Sequence, residues 1–172
     1  NSVLQLARNA AKAGRIAQFE VGVHEGIMHA LDMTSRVDGA FVEIGVSTGA
    51  SAFTALNYMY RRGMKRNVHL LDTFVGWDYS AATESADSMW QNATPHYDWP
   101  YMHTPEGWMN HISGLLDPIG FPYRIHMNNI ITGEIPCNEV AVANIDVDLY
   151  EATLAALEKV APRMVAGGVI IM

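Results

Sequence analysis

Residues 39–49 read Gly39-Ala40-Phe41-Val42-Glu43-Ile44-Gly45-Val46-Ser47-Thr48-Gly49, and this stretch decides the fold class. Its first half is a short β-branched and aromatic run closed by glycine, the pattern of a buried strand entering a turn. Ala50 to Arg62 follows with helical composition, and Gly63 supplies the stop. Asn67 to Phe74 is a second apolar run, broken only by His69 and the closing Asp72-Thr73. Strand, helix, strand is a βαβ unit, and its crossover is nearly always right-handed and parallel.

Working outward from that unit, Leu4 to Gln18 and Gly22 to Met33 are expected as helices within an N-terminal section, residues 1–38. Downstream, Trp108 to Leu116 is expected as a helix, and Tyr123 to Met127 and Val140 to Asp146 as strands. Glu151 to Met164 reads as a helix with Leu154, Leu157, Val160 and Ala161 on one face, before a strand opening at Val169. The fold class is therefore α/β, a Rossmann-like doubly wound, mostly parallel sheet in one domain over residues 1–172. The final apolar run ending at Met172 reads as a strand cut short, so the natural chain is expected to continue and the sheet to lack its last strands here. Residues 76–107 break the pattern: Trp77, Trp90 and Trp99, with His96 and His103, show no sustained period and read as a lid-like insertion.

Composition narrows the function classes. With 49% hydrophobic and 17% charged residues the chain is an ordinary globular one. A formal net charge of -7 leaves no basic stripe for nucleic acid. No apolar stretch approaches the roughly 20 residues of a membrane span. Cys137 stands alone, so there is no intrachain disulfide, and a cytoplasmic location is expected. What stays open is a small-molecule partner and further copies of the chain.

The turn after the first strand carries the first chemical signal. Glycines there let the backbone approach a ligand, and a helix N-terminus follows. A tight turn without a ligand is the alternative reading. The spacing departs from Gly-x-Gly-x-x-Gly, which weakens a dinucleotide reading, and no phosphate-binding lysine follows, which excludes a Walker loop. Glu43 is an acid at the strand's end, placed to meet a cationic amino group such as that of S-adenosylmethionine. Asp72 ends the second strand, where an acid accepts from a ribose diol, or else caps a turn. The surface expected to meet the cofactor comprises Glu43, Gly45, Val46, Ser47, Thr48, Gly49 and Ser51, then Asp72, Thr73 and Phe74, with Asn129 and Asp146.

Ala143 to Thr153 carries the second signal, Asp146-Val147-Asp148 at a strand's carboxyl end. If the strand persists, alternation puts both carboxylates on one side, a pair of oxygen ligands for a hard divalent cation such as magnesium. Otherwise Asp148 caps the next helix and Asp146 alone faces the cleft. His111, next to the insertion, is a candidate for proton transfer. His24, His29, His69 and His126 lie in expected helices and strands and read as structural.

Four segments in order are similar to the motifs of the macrocin O-methyltransferase family: Phe41 to Ser51, Leu71 to Gly76, Ile145 to Thr153, and Pro162 with Gly167 to Ile171. The resemblance runs from about Gly39 to Met172. It implies a class I methyltransferase fold, S-adenosylmethionine as methyl donor, a sugar hydroxyl as acceptor and a divalent cation. It also implies that Asp146 is a metal ligand near the reacting hydroxyl and the general base. The family's further acidic ligands follow its Gly-Gly strand, beyond Met172. Two other functions stay open from the residues alone, a nicotinamide-dependent oxidoreductase and a non-catalytic adenosyl-binding domain.

Overall fold

In the computed structural model, residues 2–16, 20–76 and 103–172 are described. Their elements are α1 (Val3–Lys12), α2 (Val21–Met33), β1 (Ala40–Ile44), α3 (Ala50–Arg61), β2 (Val68–Asp72), α4 (Pro105–Leu116), β3 (Arg124–Met127), β4 (Val140–Ile145), α5 (Tyr150–Val160) and β5 (Met164–Ile171). The lid-like reading of residues 76–107, with Trp77, Trp90, Trp99 and His96, lies outside the described residues over 77–102.

The five strands form one sheet in the order β3-β2-β1-β4-β5, and every pairing is parallel. β1 and β4 are buried along their whole length, as their unbroken apolar runs require of strands covered on both faces. Alternation divides the core in two. Phe41, Val68, Leu70 and Val142 join residues of α1 to α4, including Ala7, Ile27, Leu31, Leu56 and Ile112. Val42, Ile44, Leu71, Ala143 and Ile145 face the other way, against Ala152, Ala156 and Val160 of α5. The doubly wound expectation is met.

Several boundaries differ from the sequence reading, each for a local reason. α1 stops at Lys12 rather than Gln18 because Gly14 takes φ 66°. The amides of Arg15 and Gly14 then close on the carbonyls of Ala10 and Ala11, a Schellman stop. α4 begins three residues before Trp108, with the Thr104 hydroxyl accepting from the Gly107 amide at 3.0 Å and Pro105 in its first turn. α5 ends at Val160, where a 3-10 turn over Ala161–Arg163 takes over. The face of α5 that meets the sheet is Ala152, Ala156 and Val160, whereas Leu154 is 39% exposed. β5 starts five residues before Val169, because its register against β4 shifts between Val140 and Val142 and the extra residues include Gly167 and Gly168.

Candidate active site

The strand order reverses between β1 and β4, so the chains leaving these two neighbours wind to opposite sides of the sheet. A crevice outside the carboxyl ends at such a switch point is where open α/β sheets bind ligands. Both acidic motifs arrive there, Glu43 to Gly49 from β1 and Asp146 to Asp148 from β4.

Glu43 is the last residue but one of β1, fully buried instead of standing at the tip. Its Oε1 accepts from the hydroxyl of Ser51, the second residue of α3, and from Asn144 Nδ2 on β4 at 3.1 Å. Its Oε2 is buried with no hydrogen-bond partner among the described residues. Loss of hydration is the main reason its pKa is pushed up to about 8, against the hydrogen bonds from Ser51 and Asn144, with the negative charges of Asp146 and Asp72 adding to the rise.

The β1–α3 turn is held from three sides. At Gly45 (φ 89°) an added Cβ would overlap the carbonyl oxygen of Asp146. The neighbouring Asp146 amide donates to Ile44 O at 2.9 Å. Gly45 therefore makes room for the main chain of Asp146, just past the end of β4. On the second side, Asp72 Oδ2 accepts from the amides of Val46 and Ser47 at 2.8 and 2.9 Å, and its Oδ1 accepts from Phe74 N at 2.9 Å. Asp72 thus braces the turn, and Oδ1 keeps a second lone pair for a donor from the crevice. On the third side, Trp108 Nε1 donates to Ser47 O at 2.6 Å, and the indole meets Phe74 edge-on with centroids 6.0 Å apart. Ser47 itself is left-handed (φ 49°) and exposed, while Val46, Thr48 and Gly49 are buried.

Around this turn, Thr73 donates its hydroxyl proton to Gly76 O at 2.7 Å. Asn129, two residues past β3, accepts from Ile131 N at 3.0 Å, shaping a loop whose carbonyls at Ile130, Ile131 and Gly133 are gathered by the Lys159 ammonium.

β4 ends at Ile145, so the alternation that would align Asp146 and Asp148 along a strand does not extend to them. The helix-cap reading of Asp148 is also corrected. The residue before α5 is Leu149, which makes no side-chain capping bond, and Asp148 holds left-handed backbone at φ 62°. The chain turns tightly there, with Leu149 N donating to Val147 O at 2.7 Å. Asp146 keeps solvent access, yet partial burial raises its pKa, and the negative charges of Asp148 and Glu20 raise it further. The Asp148 carboxyl is raised by burial. Glu20, just ahead of α2, was not singled out from the sequence, and nothing in the pattern links it to a residue so far along the chain. Among the described residues no group of three or more His, Cys, Asp or Glu side chains stands ready to hold a metal ion.

The histidines sort differently. His111 Nε2 lies 2.9 Å from Arg15 O, tying α4 to the segment after α1, and burial lowers its pKa. That gives His111 a packing role. His24 Nδ1 pairs with Thr54 Oγ1 at 2.5 Å, and His69 with His126 at 3.0 Å across β2 and β3, as the structural reading expects.

The parallel order, the switch-point crevice and the acid-bearing β1 turn define a Rossmann-like α/β domain. The sequence profile of the family Macrocin-O-methyltransferase (TylF) matches residues 14–172, and the chain belongs to that family. No curated protein matches it. Among solved structures, the O-methyltransferase NovP aligns with TM-score 0.65 and 22% identity over 86% of this chain and 62% of its own. CalS11, the calicheamicin methyltransferase, aligns with TM-score 0.67 and 17% identity over 98% of this chain and 75% of its own. Its apo structure, titled a TDP-rhamnose 3'-O-methyltransferase, gives TM-score 0.62 and 17% identity over 96% and 68%. These likenesses confirm the fold. The chain spans less than two thirds of the NovP chain.

Proposed function

We propose that this chain is the cofactor-binding and catalytic core of an S-adenosylmethionine-dependent O-methyltransferase acting on a hydroxyl of a small, glycosylated natural product in the cytoplasm. Family membership supports the reaction, and the sugar acceptor rests on the likeness to a TDP-rhamnose 3'-O-methyltransferase. The observation that carries the cofactor is Glu43 Oε2, a buried oxygen at the switch point without a partner among the described residues. A buried polar atom left unpaired is costly, and a cationic ammonium would satisfy it. The residues thus fit the methionine end of the cofactor.

When bound, S-adenosylmethionine supplies a methyl carbon made electrophilic by its sulfonium. The chain's task is to align an oxygen with that carbon and to take the hydroxyl proton as the C–O bond forms and the C–S bond breaks, S-adenosylhomocysteine being left behind. Asp146 is the base in this reading, since partial burial and its acidic neighbours raise its proton affinity above that of an ordinary aspartate. For the divalent cation expected at Asp146 and Asp148, two carboxylates alone do not make a coordination shell, and no third acidic, His or Cys ligand joins them among the described residues. The nicotinamide alternative is disfavoured because the Val46 and Ser47 amides, which would face a pyrophosphate, are already engaged by Asp72.

Calorimetry tests the cofactor: S-adenosylmethionine is expected to bind more tightly than a nicotinamide dinucleotide, and the reverse order sinks the reading. Asp146→Asn is expected to lower turnover by about 10²- to 10⁴-fold, the usual range for a lost general base, with little change in cofactor affinity. Running both enzymes with and without chelator decides the metal, since indifference to chelation removes it.

A further inference from the structure

We propose that Trp108 is a positioning residue for the cofactor: its indole N–H, on the carbonyl of Ser47, fixes the shape of the turn on which the cofactor rests. The inference builds on the S-adenosylmethionine reading above.

Ser47 is a non-glycine residue in the left-handed region, a conformation that persists only where its surroundings impose it. The peptide groups on either side of Ser47 are fixed by different parts of the chain. Toward its N-terminal side, Asp72 Oδ2 at the end of β2 receives the Val46 and Ser47 amides. Toward its C-terminal side, Trp108 Nε1 on α4 reaches the Ser47 carbonyl across 61 residues of sequence. The same indole packs edge-on against Phe74, the residue whose amide also binds Asp72. Trp108 therefore touches both loops that leave the carboxyl ends of β1 and β2, and sets how they stand relative to each other. α4 is itself registered by the Thr104 cap, so the indole is delivered from a fixed helix start.

This role is separable from core packing. Trp108 belongs to the same apolar cluster as Ile112, Leu115 and Leu116 of α4, and phenylalanine retains much of that packing. What phenylalanine loses is the N–H. The bond is only part-buried and Ser47 is exposed as a residue, so water is expected to take the place of the lost donor with a small effect on folding. The consequence falls on the turn, which is free to leave its left-handed shape, and hence on the cofactor.

The experiment compares the natural chain, Trp108→Phe and Leu116→Ala by calorimetry with S-adenosylhomocysteine and by denaturant unfolding. Trp108→Phe is expected to weaken binding about tenfold, the scale of one hydrogen bond, with a small change in the unfolding midpoint. Leu116→Ala, which empties fully buried volume in the same helix without touching Ser47, is expected to lower the midpoint more and to leave affinity of the folded fraction within about twofold. In proton–nitrogen spectra, the indole resonance missing from Trp108→Phe should shift when S-adenosylhomocysteine is added to the natural chain. Natural affinity in Trp108→Phe, or equal weakening in Leu116→Ala, overturns the positioning role alone. Failure of the natural chain to bind S-adenosylhomocysteine overturns the cofactor reading and this inference with it.

Discussion

Asp148 holds a left-handed backbone two residues beyond the proposed base. That conformation costs most L-residues about 1 kcal/mol or more, but Asn and Asp tolerate it. Asp148→Asn is therefore expected to change stability by less than about 0.5 kcal/mol while removing a negative charge that raises the pKa of Asp146. With that anion gone, Asp146 loses its proton at a lower pH, so the acid limb of the pH–rate profile should move down. Profiles of the two proteins check this, and an unmoved limb would show that the carboxylates do not communicate. At this scale the sequence marked the acids but not their settings. Asp146-Val147-Asp148 was legible as a chemical pair, yet a strand that stops at Ile145 and a turn before Leu149 removed both the alternating and the capping geometry. Asp72 was legible as an acid at a strand end. Its grip on two turn amides was not, because that depends on how closely β1 and β2 deliver their loops.

At the scale of elements, every helix and strand read from the sequence exists, and the misreadings concern ends and faces. α5 is the instructive case. Leu154, Leu157, Val160 and Ala161 read as its buried face; Val160 is buried and Leu157 packs against the core, but Leu154 and Ala161 are exposed and the small Ala152 and Ala156 take the rest of the contact with the sheet. Ala156→Leu is expected to cost about 1 to 3 kcal/mol by overpacking, and Leu154→Ala less than about 0.5 kcal/mol. Denaturant midpoints of the two variants measure the difference, and the opposite ranking would restore the leucine face. β5 was read five residues short because Gly167 and Gly168 resemble a turn before a strand, whereas the strand continues through them with a shifted register.

For the molecule as a whole, the charge state of Glu43 couples stability to pH. Its folded pKa of about 8 lies above the ordinary value of 4.5, so between these limits the folded chain holds a proton that the unfolded chain has released. Stability of the ligand-free chain therefore falls as pH rises through that window and levels off above it. Glu43→Gln is expected to flatten this slope, as unfolding curves at several pH values would show. An unchanged slope would place the titration elsewhere. Binding of a cationic ligand at Oε2 favours the carboxylate, so in the same window uptake should release a proton, and affinity should climb with pH toward about 8. Calorimetry in two buffers of different ionisation enthalpy counts that proton. The parallel doubly wound architecture was legible because runs such as Val140 to Ile145 are apolar throughout. The depth of Glu43 was not, since an acid inside such a run reads most simply as the strand's exposed tip.

The contact between Gly45 and Asp146 has a consequence for how this family can diversify. The two motifs are joined main chain to main chain, through the Asp146 amide on Ile44 and a carbonyl resting where a side chain would otherwise stand. The gap between donor site and proposed base is consequently gauged by peptide geometry, which substitutions of neighbouring side chains leave alone. Under the proposed function, exchanging side chains around the crevice is then expected to change which acceptor fits while the spacing between donor and base stays as the main chain sets it.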